Sequence, residues 1–416
     1  MRSDARRVVV TGAGIACAAG DRMGELWAAA RDGRSPGVRR PELALDGMPG
    51  PLAAFHDRLD VRAELGREGL RALDRTGRLA AVAARRALAD AGWPAAALAG
   101  TEVGLVLGTM FGSLRTICEF DRRGVSAGPS YAKPLDFVNS VINAAAGQTA
   151  IRFDLRGVNA TVSGDLTSGL QALAYAADLV RGGRATALLA GGADELCAES
   201  LYGFHRLGLL CGAGSERAVP LGRPAEGMVL AEGAALLMLE SLASARARGA
   251  TILAEILGHG SAYDPGRGAG AHHLAAAVAG AVRSALQDAD RPAGAIDCVS
   301  LAANGTHLDA AETAGVGRGL SRPGPVPALA AKAATGETLG AAGALQTLFA
   351  IESLRNRRLP GIPGLDPGAA PALAAGGGTS TLEGSTALVT AVGLQGKAAA
   401  LVAEVAPQTT DHDRRA

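Results

Sequence analysis

The stretch Val162-Ser163-Gly164-Asp165-Leu166-Thr167-Ser168-Gly169-Leu170 has the layout of a place for chemistry. A strand-like run over 158–162 turns on small residues into an apolar helix over 170–181. Such a turn presents one side chain among free backbone N–H groups at the positive end of a helix dipole. That setting lowers a thiol pKa and stabilises an oxyanion, so it suits a nucleophile. The residue at the apex is Leu166, which cannot attack. Two further positions stand at comparable places, Asn304 at a strand end and Glu337 at a turn into a helix.

Other residue types offer little chemistry. Cys17, Cys118, Cys197, Cys211 and Cys298 are widely spaced, with no CxxC pair, which fits a reducing compartment and a cytoplasmic protein. As replacement nucleophiles Cys118 and Cys211 lack the strand-turn-helix context, so both read as core or tunnel residues. No His/Cys group has zinc spacing, and His272-His273 reads as a solvated helix start. Thr11-Gly12-Ala13-Gly14 follows a valine strand, but Cys17 stands where a dinucleotide fingerprint needs its third glycine. No metal and no cofactor are expected.

The totals exclude other classes. Net charge is +1, from 41 basic and 40 acidic residues, which gives no electrostatic reason for nucleic acid or an anionic membrane. No apolar run is long enough to span a bilayer, and residues 1–7 lack the apolar core of a signal peptide. Aromatics make up 3% against 48% hydrophobic residues, so the core is Ala, Leu and Val, suited to close packing of helices on sheets.

The elements that must position these residues alternate as strand and helix, and then repeat. Strand-like runs at 7–16, 102–108, 158–162 and 185–190 are interleaved with helical patterns at 79–91, 137–152 and 170–181. After Arg248 the plan restarts, with strands at 252–260, 296–301 and 327–331 and helices at 274–288 and 338–355. The chain is therefore expected to be an α/β protein of two pseudo-duplicated halves, 1–245 and 246–416. Residues 366–384 read as a loop and about 407–416 as a frayed tail. In a pseudo-twofold fold, Leu166, Asn304 and Glu337 are placed to converge on one pocket.

With these motifs in order, the chain resembles the β-ketoacyl synthases of the thiolase fold, a layered αβαβα architecture. The resemblance rests on Thr11-Gly12-Ala13-Gly14, Gly157-Val158-Asn159, Thr167-Ser168-Gly169 and Gly191-Gly192-Ala193. It continues through 227–240, Asn304-Gly305-Thr306, Lys332-Ala333-Ala334-Thr335-Gly336 and Gly340-Ala341-Ala342-Gly343-Ala344, covering about 7–405. The family condenses an acyl thioester held on a cysteine with a decarboxylating malonyl extender, assisted by two neutral histidines. Here Leu166 stands for the cysteine, Asn304 for the histidine of Ala-His-Gly-Thr, and Glu337 for the histidine of Thr-Gly-His. The loop from Asn304 to Asp309 is shorter than usual in the family. The glycine-rich gate, usually Gly-Phe-Gly-Gly, reads Gly393-Leu394-Gln395-Gly396. Glu312 and Lys332 match a charged pair of the family and imply a structural contact between loops. His307, in the shortened loop, is a poor substitute for the lost imidazole.

A complete fold with a dismantled site resembles the chain-length factor, or ketosynthase-beta, subunits of type II polyketide systems. The resemblance implies no catalytic residue, a heterodimer with an active ketosynthase subunit, and an acyl carrier protein bearing the polyketide chain. It implies that Met110, Phe111, Leu114, Ile117, Cys118 and Leu394 line the tunnel that sets chain length. It places 137–149 and 191–204 at the interface between subunits. Leu166, where glutamine is common in subunits serving aromatic products, suggests a reduced or polyene product. Two alternatives remain: an enzyme working through Asp165, Asn304 or Glu337, and a purely structural scaffold.

Overall fold

The computed structural model describes residues 3–44, 50–93, 102–212, 214–266, 271–366, 368, 370 and 373–406. The expectations for 407–416 and for part of 366–384 lie outside these residues.

The first half contributes strands β1 (Val8–Cys17), β2 (Gly104–Gly108), β3 (Asn159–Val162), β4 (Ala187–Asp194) and β5 (Gly233–Ser241). The second contributes β6 (Ala254–Tyr263), β7 (Cys298–Ser300), β8 (Val326–Leu329), β9 (Leu373–Ala374), β10 (Thr386–Val392) and β11 (Lys397–Glu404). Among the described residues they join in the order β9-β8-β7-β10-β11-β6-β1-β5-β4-β2-β3. Outward from the seam, β1-β5-β4-β2-β3 mirrors β6-β11-β10-β7-β8. The pairing directions match as well: antiparallel, antiparallel, parallel, parallel in each half. Val8, Val9 and Val10 pair antiparallel with Ile256, Glu255 and Ala254 to join them. The duplication expected from element order is a duplication of topology.

The helices that matter here are α1 (Met23–Arg31), α2 (Arg75–Asp90), α3 (Leu114–Ala127), α4 (Ala144–Phe153), α5 (Ser168–Arg181), α6 (Ala198–Arg206), α7 (Ala271–Ala289), α8 (Leu308–Leu320) and α9 (Ala342–Asn356). Period-two alternation in the strands explains the layers. Leu188 and Ala190 of β4 face the central core, with Leu170 and Leu173 of α5 and Leu345 and Phe349 of α9. Leu189 of β4 faces the opposite way, with Leu79 and Val82 of α2. In the second half Val299, Leu388 and Val402 meet α7 and α8 through Val278, Val282 and Val316. Helices thus cover both faces of both halves, with α5 and α9 in the middle, which is the αβαβα layering.

Glycines let the two central helices start close together. A Cβ on Gly169 would lie 2.2 Å from the Gly340 carbonyl oxygen, and one on Gly343 would lie 2.4 Å from the Leu170 nitrogen. No larger residue fits where the halves meet.

Two expected helices differ. The run 137–152 is broken into Pro134–Phe137 and α4, with turns between. Asn139 Nδ2 donates to the Ala72 carbonyl at 3.0 Å and Ser140 Oγ to the Phe137 carbonyl at 2.7 Å. These side chains divert the chain from a continuous helix. The run 338–355 begins as a tight turn, Leu339–Ala341, with Leu339 at φ +54°, before α9.

Candidate functional site

The turn between β3 and α5 is held by its own small side chains. Thr167 Oγ1 donates to the Gly164 carbonyl at 2.6 Å, and Ser168 Oγ to the Asp165 carbonyl at 2.5 Å. Ser168 Oγ also accepts the Gly164 N–H at 2.9 Å. Asp165 takes the left-handed conformation, φ +56°, which Asp tolerates better than most residues. Leu166 follows, 2% exposed, and packs with Leu196, Leu201, Phe204, Met228 and Leu339. Met110, Phe111 and Leu394 are partly buried against the same cluster. Phe111 meets Phe204 edge-on, ring centroids 6.2 Å apart. Burying a leucine in this way stabilises the fold by about 2 kcal/mol, and the position is filled by hydrocarbon.

Glu337 and Asn304 meet beside this cluster. Glu337 is fully buried; its Oε2 accepts Lys332 Nζ at 2.7 Å and Asn304 Nδ2 at 3.0 Å. Its Oε1 accepts the Leu339 N–H at 3.1 Å. The backbone is pinned as well, Glu337 N–H to the Val229 carbonyl and Ala231 N–H to the Glu337 carbonyl, each at 2.8 Å. Asn304 Nδ2 lies 3.4 Å from Met228 Sδ, and its Oδ1 accepts Thr306 Oγ1 at 2.7 Å. Met228 and Leu339 therefore link this polar trio to Leu166, and the three positions converge as the duplication implied.

One expected contact is corrected. Lys332 does not pair with Glu312: its ammonium is taken by Glu337, whose carboxylate stands where the resemblance places an imidazole. Glu312 Oε1 instead accepts Thr390 Oγ1 at 2.6 Å and the Ala302 N–H at 2.7 Å. Burial pushes the Glu312 carboxyl up to about 7.

The residues expected to line a tunnel divide into two sets. Met110, Phe111 and Leu394 reach the Leu166 cluster, but Leu114, Ile117 and Cys118 do not. They are half-buried on α3, which has no fully buried residue, so they are not plain core either. His307 is exposed at the start of α8.

Sequence reasoning passed over Asp194 as a functional residue. It is fully buried and gathers four donors: Thr109 Oγ1 at 2.7 Å, Met110 N–H at 2.7 Å, Phe111 N–H at 3.1 Å and Gly340 N–H at 2.8 Å. It ties the Met110–Phe111 wall to the second half. Burial outweighs these donors and pushes its carboxyl up to about 6. The signal in the sequence was an acid closing an otherwise apolar strand.

No cysteine is poised to react. Burial pushes the thiols of Cys17, Cys197 and Cys211 up to about 11 and Cys298 up to about 12, and raises Cys118 as well. Among the described residues, no group of three His, Cys, Asp or Glu could hold a metal ion, and no helix is long and apolar enough to cross a membrane. At the site itself the chemistry is a hydrocarbon plug beside a neutralised carboxylate. A carboxylate at 337 repels an enolate oxygen rather than stabilising it.

Comparison with known proteins agrees with this fold. The family model described as "Beta-ketoacyl synthase, N-terminal domain" matches residues 5–245, and that for the C-terminal domain matches 253–366. The 3-oxoacyl-[acyl-carrier-protein] synthase 2 of Rhizobium meliloti (strain 1021) is 32% identical over 384 residues, 87% of this chain and 89% of that protein. A β-ketoacyl synthase from Burkholderia phymatum STM815 superposes with a TM-score of 0.88 at 28% identity, covering 96% of this chain and 100% of the other. The ishigamide ketosynthase/chain length factor superposes with a TM-score of 0.86 at 27% identity, covering 96% and 99%.

Proposed function

Since the chain belongs to the β-ketoacyl synthase family, we propose that it is a non-catalytic, chain-length-factor subunit, which pairs with an active ketosynthase and shapes its acyl tunnel. The observation that carries this reading is the joint loss at Leu166, Asn304 and Glu337. A single replacement leaves a partial catalyst. Here the nucleophile is hydrocarbon, and the two replaced imidazole positions bond to each other through Asn304 Nδ2 and Glu337 Oε2. Since Glu337 is also neutralised by Lys332, neither side chain is left free to work on a substrate.

Surface features support a partner. Tyr131, Leu135, Phe137, Val138, Val141 and Ile142 are all between 42% and 68% exposed, a run of large apolar groups that a monomer rarely shows. Ile142 abuts Gly112, next to Phe111, so this face adjoins the wall of the Leu166 cluster. Among the described residues, strand β3 is the outermost strand of the sheet on the same half. A carrier protein is the second partner in this reading. A cleft of about 670 Å³ has Arg62, Arg67 and Arg71 exposed on its lining, beside Arg75 and Arg78, and suits an acidic surface. A reduced or polyene product is kept as the product class, on the strength of leucine at 166.

The test is condensation by purified components. Alone, this chain does not condense malonyl and acyl carrier-protein thioesters; co-expressed with a ketosynthase bearing the cysteine and both histidines, it supports chain growth. Turnover by the isolated chain as a homodimer would instead favour an enzyme using Asp165, Asn304 or Glu337.

A further inference from the structure

We infer that Asp165 is a positioning residue that latches the turn between β10 and β11 over Leu166. The inference deepens the reading of Leu166 as a plug and rests on it. The turn Gly393-Leu394-Gln395-Gly396 belongs to the second half, and Asp165 to the first. The Leu394 N–H donates to Asp165 Oδ2 at 3.2 Å. Oδ1 accepts the Thr167 N–H at 3.3 Å, so the carboxylate bridges the start of α5 and the hairpin turn. The turn is closed on its own side by the Gly393 N–H on the Lys397 carbonyl at 2.9 Å.

Fit and burial make this a latch rather than a chance contact. A Cβ on Gly393 would lie 2.4 Å from Asp165 Oδ1 and 2.5 Å from Oδ2, so only glycine lets the turn sit down on the carboxylate. Asp165 itself holds a left-handed backbone, φ +56°, and from there its two carboxylate oxygens reach the helix start and the turn, one each. The next residue on each strand of this contact, Leu166 on one side and Leu394 on the other, joins the same apolar cluster. The polar bond and the apolar contact therefore hold the same turn closed. A carboxylate that accepts backbone N–H groups from two segments in a partly buried site tethers one to the other.

The latch predicts that a group at position 166 is shielded while Asp165 is present. The full-length Leu166→Cys variant supplies a thiol whose alkylation by iodoacetamide is followed site by site with peptide mass spectrometry. Adding Asp165→Gly removes the carboxylate and keeps the left-handed turn free of strain. The expected result is alkylation about ten-fold faster at that thiol, the factor a lost bond of this kind carries. Asp165→Asn, which keeps a carbonyl acceptor, restores a rate near the parent, and thermal midpoints stay close together. Gly393→Ala, with Asp165 intact, accelerates alkylation from the other side of the contact. Equal rates in Leu166→Cys with Asp165 intact and with Asp165→Gly, or a thiol already fast in Leu166→Cys, overturn the latch. If Asp165→Gly fails to fold, Gly393→Ala decides the matter by the same rate. No partner is needed, so failure here leaves the pairing with a ketosynthase standing, and condensation by the isolated chain would sink that reading without touching the latch.

Discussion

Single residues carry the proposal that this chain does not condense on its own. Leu166→Cys alone is expected to give no condensation, because Asn304 and Glu337 still stand where imidazoles would be needed; radiolabelled malonyl incorporation measures this. The buried Lys332–Glu337 pair makes a second prediction. Lys332→Met strands a carboxylate in the core and should cost about 3–5 kcal/mol in urea unfolding. Lys332→Met with Glu337→Leu removes both charges and should recover much of that loss. A third concerns pH. Asp194, Glu195 and Glu312 have carboxyls pushed by burial to about 6, 8 and 7. The folded chain therefore holds these protons more tightly than the unfolded chain. Their stabilising contribution is complete below the ordinary carboxylate range and is lost as pH rises through 6 to 8. The urea midpoint should fall between about pH 5 and pH 8, and Glu312→Gln should flatten the part of that fall below about pH 7. A midpoint that rises over the same range contradicts the assignment.

At the scale of elements, α3 links the site to the surface. It has no fully buried residue, yet it begins just after Phe111, and its Phe120 packs on Phe137 with ring centroids 6.0 Å apart. Cys118 on this helix serves as a footprint: its alkylation should slow when a ketosynthase partner binds, and an unchanged rate would place the interface elsewhere. Alternation of strand with helix and the repeat of element order made the layered fold legible from the sequence. Each apolar strand had to be covered on both faces, and the second half repeats the first. The meeting of Leu166, Asn304 and Glu337 was legible for the same reason, since duplication brings two turn-to-helix positions and a strand end together. The partner of Lys332 was not, because it depends on which carboxylate lies nearer once the loops fold. Asp194 was not, because its four donors come from segments far apart in the chain. The break at 138–143 was missed because side-chain bonds from Asn139 and Ser140 override an apolar pattern.

At the scale of the whole molecule, a complete fold buries a leucine at the candidate site and exposes an apolar face beside it. Val141 is 50% exposed on that face, and Val141→Asp should prevent co-purification with a ketosynthase while leaving the thermal midpoint of the isolated chain nearly unchanged. An exposed site tolerates a charge alone and rejects it once buried between subunits. The central claim, that this chain sets product length through a partner's chemistry, is tested most directly by product analysis of the reconstituted pair. The ketosynthase is held constant and Phe111→Ala, or Leu114→Ala, is introduced here. The account predicts longer products from the same active site at a similar rate. An unchanged product distribution would contradict it.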